Sequence, residues 1–144
     1  MTANRIVVGV DGSAHAARAV RWCAEHASGL DAEVVAVHAV DLPVYAAPGM
    51  LTMPYPPLNE QQMHDLRELV TGDWCKPLAD AGVAYRALVV EGSPTTVLMD
   101  AARTEDAMLV VVGRRGRGGF AELMLGSTSH QLTHHLDRPL VIIP

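Results

Sequence analysis

Short runs of β-branched residues alternate along this chain with alanine-rich stretches whose apolar positions recur every three or four residues. The first run, Arg5 to Val10 (RIVVGV), is apolar at odd and even positions alike, which predicts a strand covered on both faces. Gly12 and Ser13 turn the chain, and Ser13 is placed to cap a helix. In that helix Ala16, Ala19, Val20, Cys23 and Ala27 share one stripe, and Gly29 stops it. A second strand follows from Glu33 to Val40. From Asn59 the helical period returns, with Met63, Leu66, Val70 and Trp74 on one face. Gly72 and Pro77 should bend or shorten this helix before it ends near Gly82. The third strand is Ala84 to Val90, and Gly92, Ser93 and Pro94 then open a third helix reaching about Arg103. The fourth strand runs from Ala107 to Val112, the fourth helix begins at Ser127, and LVIIP closes the chain as a fifth strand.

This βαβα alternation predicts an α/β domain over residues 1–144, an open five-stranded parallel sheet with helices on both faces. In such sheets a ligand sits beyond the carboxyl ends of the strands where the strand order reverses. The loops leaving Val10 and Val112 are therefore expected to form the crevice. Residues 41–58 hold five prolines and follow neither period, so they read as a long loop, either a lid over that crevice or disordered.

Composition narrows the class. A chain of 144 residues buries enough surface to hold a core without staples, and its two cysteines form no CxxC pair. The N-terminus enters a strand at once, with no basic and apolar leader, which suits a cytoplasmic protein. No apolar run is long enough to span a bilayer. A net charge of −5 speaks against a general nucleic-acid binder, which carries a basic face.

The densest chemistry lies in VGRRGRGGFAELMLGSTS, between the fourth strand and the fourth helix. A helix start offers unpaired N–H groups and the positive end of a dipole, a seat for an anion. Gly113, Gly116 and Gly126 would let the backbone approach a ligand and adopt positive φ. Ser127, Thr128 and Ser129 add hydroxyl donors, and Arg114, Arg115 and Arg117 add guanidinium groups suited to phosphate. Asp11, at the end of the first strand, either faces the crevice or ties down its own turn.

Here the sequence resembles the universal stress protein family, in its ATP-binding branch, through VVGVDGS, the glycine-rich segment and the closing RPLVIIP. The family pattern G-x2-G-x9-G-[S/T] is met by Gly113, Gly116, Gly126 and Ser127. The resemblance implies a sheet of order 3-2-1-4-5, related to the adenine nucleotide α-hydrolase architecture. It implies Asp11 near the ribose, Ala39 backbone at the adenine, and Gly113, Arg115, Gly116, Gly126, Ser127, Thr128 and Ser129 around ribose and phosphates. Ala39 is a departure, because relatives carry a larger aliphatic residue there. The implied ligand is ATP, with Mg²⁺ an admissible companion although no carboxylate near Ser127 stands out. A homodimer through the C-terminal edge strand is implied as well.

Competing readings differ in strength. The only lysine, Lys76, lies in the second helix, so a GxxxxGK[ST] phosphate loop is excluded. The first loop lacks GxGxxG and SGGxDS, and a receiver domain would need a phospho-acceptor aspartate after the third strand, where Glu91 stands, and a lysine near the fifth strand, which is missing. His130 and His134 form an i, i+4 pair without a third ligand, which reads as a solvated face. His38 reads as a hydrogen-bonded core residue, and Cys23 and Cys75 as small buried hydrophobes rather than redox sensors. Met50 and Met53 suit a lid or a partner surface equally. With no lysine and no evident base to activate water, the expected role is regulatory binding with at most weak ATPase activity. The alternatives are a nucleotide-free dimeric interaction module, an enzyme acting on ATP, or a binder of AMP or cyclic AMP.

Overall fold

The computed structural model describes residues 3–42, 44–45, 53–54, 56–116 and 125–144. Five strands, β1 (Asn4–Gly9), β2 (Ala32–Val40), β3 (Tyr85–Glu91), β4 (Leu109–Gly113) and β5 (Leu140–Ile143), form one parallel sheet in the order β3-β2-β1-β4-β5. This is the expected 3-2-1-4-5 order. The order reverses between β1 and its two neighbours: Val7 pairs with Val35 of β2 on one side and with Val110 of β4 on the other.

The two-residue period of β1 divides the core. Ile6, Val8 and Val10 face α1 (Ala14–His26), packing with Ala19, Val20 and Cys23. Val7 points the other way, toward Val97, Leu98 and Ala102 of α4 (Pro94–Thr104) and Leu132 of α5 (Ser127–His135). Helices thus cover both faces, as a sheet of fully apolar strands requires. The side chain of Ser13 caps α1 by accepting from Ala16 N at 3.1 Å, as its position predicts.

The second predicted helix is two. Asn59 opens α2 (Glu60–Leu69) with a capping box, accepting from Gln62 N at 2.8 Å while Gln62 Oε1 accepts from Asn59 N at 2.9 Å. The chain then loosens into a π turn over Val70–Trp74 and restarts as α3 (Lys76–Asp80). Gly72 is a weak helix former, and Pro77 has no N–H to give to the Asp73 carbonyl four residues back. The Cys75 N–H bonds that carbonyl instead. The π turn seats Val70 and Leu78 in the core with no exposure at either.

Within the proline-rich stretch, Val44–Tyr45 pairs antiparallel with Met53–Pro54, a short ladder where only a loop was expected. The expectation of a lid, with Met50 and Met53 on its surface, otherwise lies outside the described residues.

Cys23 and Cys75 are both fully buried and free. Burial pushes the Cys23 thiol up to about 12, with a smaller contribution from Cys75, and the Cys75 thiol up to about 11. Neither carries thiolate near neutral pH, and the thiolate is the reactive form. Ellman's reagent at pH 7.5 should therefore titrate no thiol in the native protein and both in denaturant. A fast-reacting native thiol would reopen the redox reading.

Candidate functional site

A cleft of about 800 Å³ opens above the carboxyl ends of β1, β2 and β4. Its floor is Gly9 and Val10 from β1, Val37 to Val40 from β2, and Val112 from β4; the first turns of α4 and α5 form its sides. The residues that the resemblance puts around a nucleotide all line this one cleft, whereas Arg114 is not part of its lining. Asp11 enters from β1 and Ala39 from β2. Gly113, Arg115 and Gly116 come from the exit of β4, and Gly126, Ser127, Thr128 and Ser129 from the start of α5.

The strand exit and the helix start are held together by one carbonyl. Arg114 N donates to Ile143 O of β5 at 2.8 Å, and Arg114 O accepts from Gly126 N at 2.7 Å. The Ser129 hydroxyl, 2 % exposed, donates to the same carbonyl at 2.8 Å, with Gly126 O at 3.1 Å. Ser129 was expected to add a hydroxyl for the ligand; its proton is used within the loop. Ser127 and Thr128 hydroxyls make no hydrogen bond among the described residues. Gly126 is the N-cap of α5 and has no side chain to offer its first-turn amides, in contrast to Ser13 on α1.

The expectation of positive φ fails at all three glycines, and each is also crowded by protein atoms. None has positive φ, a property confined among the described glycines to Gly12, Gly82 and Gly92. A Cβ at Gly113 would lie 2.6 Å from the His15 carbonyl carbon and 2.7 Å from its oxygen. At Gly116 it would lie 2.5 Å from Asp11 Oδ2, and at Gly126 3.2 Å from Arg115 Cα. The glycines let protein segments approach one another, and the cleft is the result.

Asp11 ties down its own turn and also lines the cleft. Its Oδ1 accepts from Ser13 N at 2.9 Å and ties the turn, where Gly12 takes φ 80°, while Oδ2 faces Gly116 across the cleft mouth. Arg115 brings a buried Nε with no hydrogen-bond partner among the described residues, as does Arg114. Arg117 lies outside the described residues.

His15 was not anticipated. Its pKa is lowered, first by burial and then by the charges of Arg18, Arg114 and Arg115, against a smaller opposing effect of Asp11. Arg18 Nη1 donates to its Nδ1 at 3.2 Å, which leaves the ring proton on Nε2. The sequence signal was available: Arg18 stands one helical turn after His15. Thr95 and Gln131 were missed too; Thr95 Oγ1 donates to Gln131 Oε1 at 2.8 Å and joins α4 to α5 along the cleft wall. His38 is hydrogen-bonded as expected, its Nδ1 2.8 Å from Val10 O and its ring edge-on to Trp74 at 5.1 Å.

The whole chain matches one family model, that of the universal stress protein family, over residues 2–144. The chain belongs to the universal stress protein family. A universal stress protein of Mycolicibacterium smegmatis is 33% identical over 147 residues, covering 96% of this chain and 47% of its own length. The chain spans about half the length of the mycobacterial relatives it matches. In fold it is similar to the universal stress protein of Archaeoglobus fulgidus in complex with dAMP, at TM-score 0.71 and 22% identity, covering 100% of both chains. It is likewise similar to a universal stress protein in complex with cAMP, at TM-score 0.69 and 23% identity, covering 100% of this chain and 98% of that one. Among the described residues no helix is long and apolar enough to cross a membrane.

Among the described residues no three His, Cys, Asp or Glu side chains gather to hold a metal ion. Asp11 and Asp41 are the carboxylates on the cleft wall. That donor set fits an Mg²⁺ that arrives on the phosphates and keeps several waters, and not a dedicated protein cage.

Proposed function

We propose that this universal stress protein binds an adenine nucleotide in the cleft, ATP foremost, as a regulatory ligand in the cytoplasm. The observation that carries this reading is the start of α5, which no side chain caps among the described residues and which shares one cleft with Arg115, whose Nε has no partner among those same residues. Helix amides and a guanidinium are the chemistry that phosphates require. The apolar side of the cleft, Val37, Ala39 and Val40, suits a base, and the presence of Asp11 in the same lining supports a contact with ribose hydroxyls. The complexes of relatives with dAMP and cAMP support the adenine nucleotide class and keep monophosphates as the second reading. Mg²⁺, where present, would neutralise phosphate charge.

Hydrolysis is expected to be slow. The lone lysine, Lys76, is on α3 and paired to Asp80 at 2.9 Å, away from this cleft. Asp11 already serves its turn, so among the described residues no side chain stands out as a base for water. The half-buried edge strand Leu140–Ile143 is the surface proposed for a two-fold dimer.

Thermal unfolding with ATP, AMP, cAMP and GTP, beside direct titration of each, tests the reading. ATP at 100 times its Kd should stabilise the native state by about 2.7 kcal/mol, and GTP should do much less. No shift with any adenine nucleotide at millimolar concentration would sink the proposal. A cAMP or AMP shift exceeding that of ATP would transfer it to the monophosphates.

A further inference from the structure

A second cavity, of about 290 Å³, is lined by α1 and by the stretch from the π turn into α3. Ala16, Ala17 and Val20 of α1 form one wall, and Trp74 and Pro77 the other. Val10 and Ala16 also line the nucleotide cleft, so the two spaces share a wall. The volume is about twice the roughly 150 Å³ in which a protein cavity holds benzene.

The π turn contributes Asp73 and Trp74 to the lining, and π turns inside helices recur at functional sites. Four charged side chains rim it. Lys76 and Asp80 neutralise each other at 2.9 Å. The remaining two, Arg21 on α1 and Asp73 on the π turn, have no ion pair or hydrogen bond among the described residues. A partly apolar cavity whose lining holds one cation and one anion without a partner among the described residues is complementary to a zwitterion carrying an apolar group.

We propose that this cavity binds a free amino acid with a large apolar side chain, the carboxylate on Arg21, the ammonium on Asp73 and the side chain between α1 and Trp74. The site is independent of the nucleotide reading, since its residues and its test involve no nucleotide.

The probe is 4-fluoro-L-phenylalanine, followed by fluorine NMR against the full chain. Two analogues accompany it, 3-(4-fluorophenyl)propionate without the ammonium and 4-fluorophenethylamine without the carboxylate. The amino acid should saturate the wild type below about 10 mM, and each analogue should bind about tenfold more weakly. Arg21→Gln and Asp73→Asn are surface changes that leave the fold intact. Arg21→Gln should weaken the amino acid and the propionate alike, and Asp73→Asn the amino acid and the amine. Ala17→Phe, which fills the chamber, should abolish binding with the helical circular dichroism retained. Absence of saturation in the wild type overturns the proposal. So does binding that survives Ala17→Phe, or that is indifferent to both Arg21→Gln and Asp73→Asn.

Discussion

Replacing Gly113 with valine is expected to cost this protein at least about 3 kcal/mol of folding stability, a large share of the 5–15 kcal/mol typical of a domain. The reason is the identity of the obstructing atoms. A Cβ at Gly113 falls 2.6 Å from the His15 carbonyl carbon, 2.7 Å from its oxygen and 2.8 Å from its Cβ. These atoms belong to the first turn of α1 and cannot rotate away as a side-chain tip would. Either α1 lifts from β4 or β4 shifts away from Val8 and Val141, its neighbours in the sheet. Both movements open the core around Val20 and Val111. Alanine introduces the same Cβ, so Gly113→Ala should cost nearly as much as valine, whereas loss of a ligand contact would scale with side-chain size. Gly72→Ala is the control, because among the described residues no atom beyond its own local backbone lies within 4 Å of its Cβ position. There the better helix propensity should leave stability equal or up to about 1 kcal/mol higher. Urea unfolding of the three variants reads the difference as a shift in midpoint at constant slope. Equal midpoints for Gly113→Ala and Gly72→Ala would refute the packing account of Gly113.

The sequence made the fold legible because its determinants are local. Apolar runs such as Arg5 to Val10 mark strands covered on both faces, and Ser13 and Asn59 mark helix starts with their own side chains. Strand order then follows from few choices, since parallel crossovers are constrained in hand and length. The site was legible for the same reason: a switch point and a glycine segment on adjacent strand ends must share a crevice. What could not be read were the consequences of distant segments meeting. Whether Gly113 faces a ligand or His15, about a hundred positions earlier, depends on how α1 crosses β4. The Ser129 hydroxyl turns inward because Arg114 O waits beneath it, and that carbonyl is placed by β5 through Ile143 O. The π turn depends on Val70 and Leu78 both finding the core, a tertiary demand that overrides the local pattern through Gly72 and Pro77.

Gly116 separates function from folding, because its Cβ would meet a side chain instead of a backbone. Gly116→Val places Cβ 2.5 Å from Asp11 Oδ2, with Asp11 Cγ next at 3.8 Å. Gly116 is exposed at the cleft mouth, so the carboxylate can yield without disturbing the core, and the stability loss should stay near 1 kcal/mol. The site has less freedom. Asp11 cannot swing away without straining the 2.9 Å bond from Ser13 N that sets the turn into α1. The valine methyls would also occupy the space between Asp11 and the first turn of α5, where the proposed ribose and phosphates lie. ATP affinity should therefore fall by a factor of about 100, equivalent to about 2.7 kcal/mol. Asp11→Asn, which keeps an oxygen for the Ser13 amide, should lose less, roughly tenfold, because it changes the charge facing the ribose without filling the cleft. The pairing of a small change in urea midpoint with a large change in affinity at Gly116, and the reverse weighting at Gly113, distinguishes a glycine that opens a binding cleft from one that lets two elements pack. ATP binding within threefold of wild type in a folded Gly116→Val protein would remove the β4 exit from the proposed site and leave the α5 amides as its only phosphate contact.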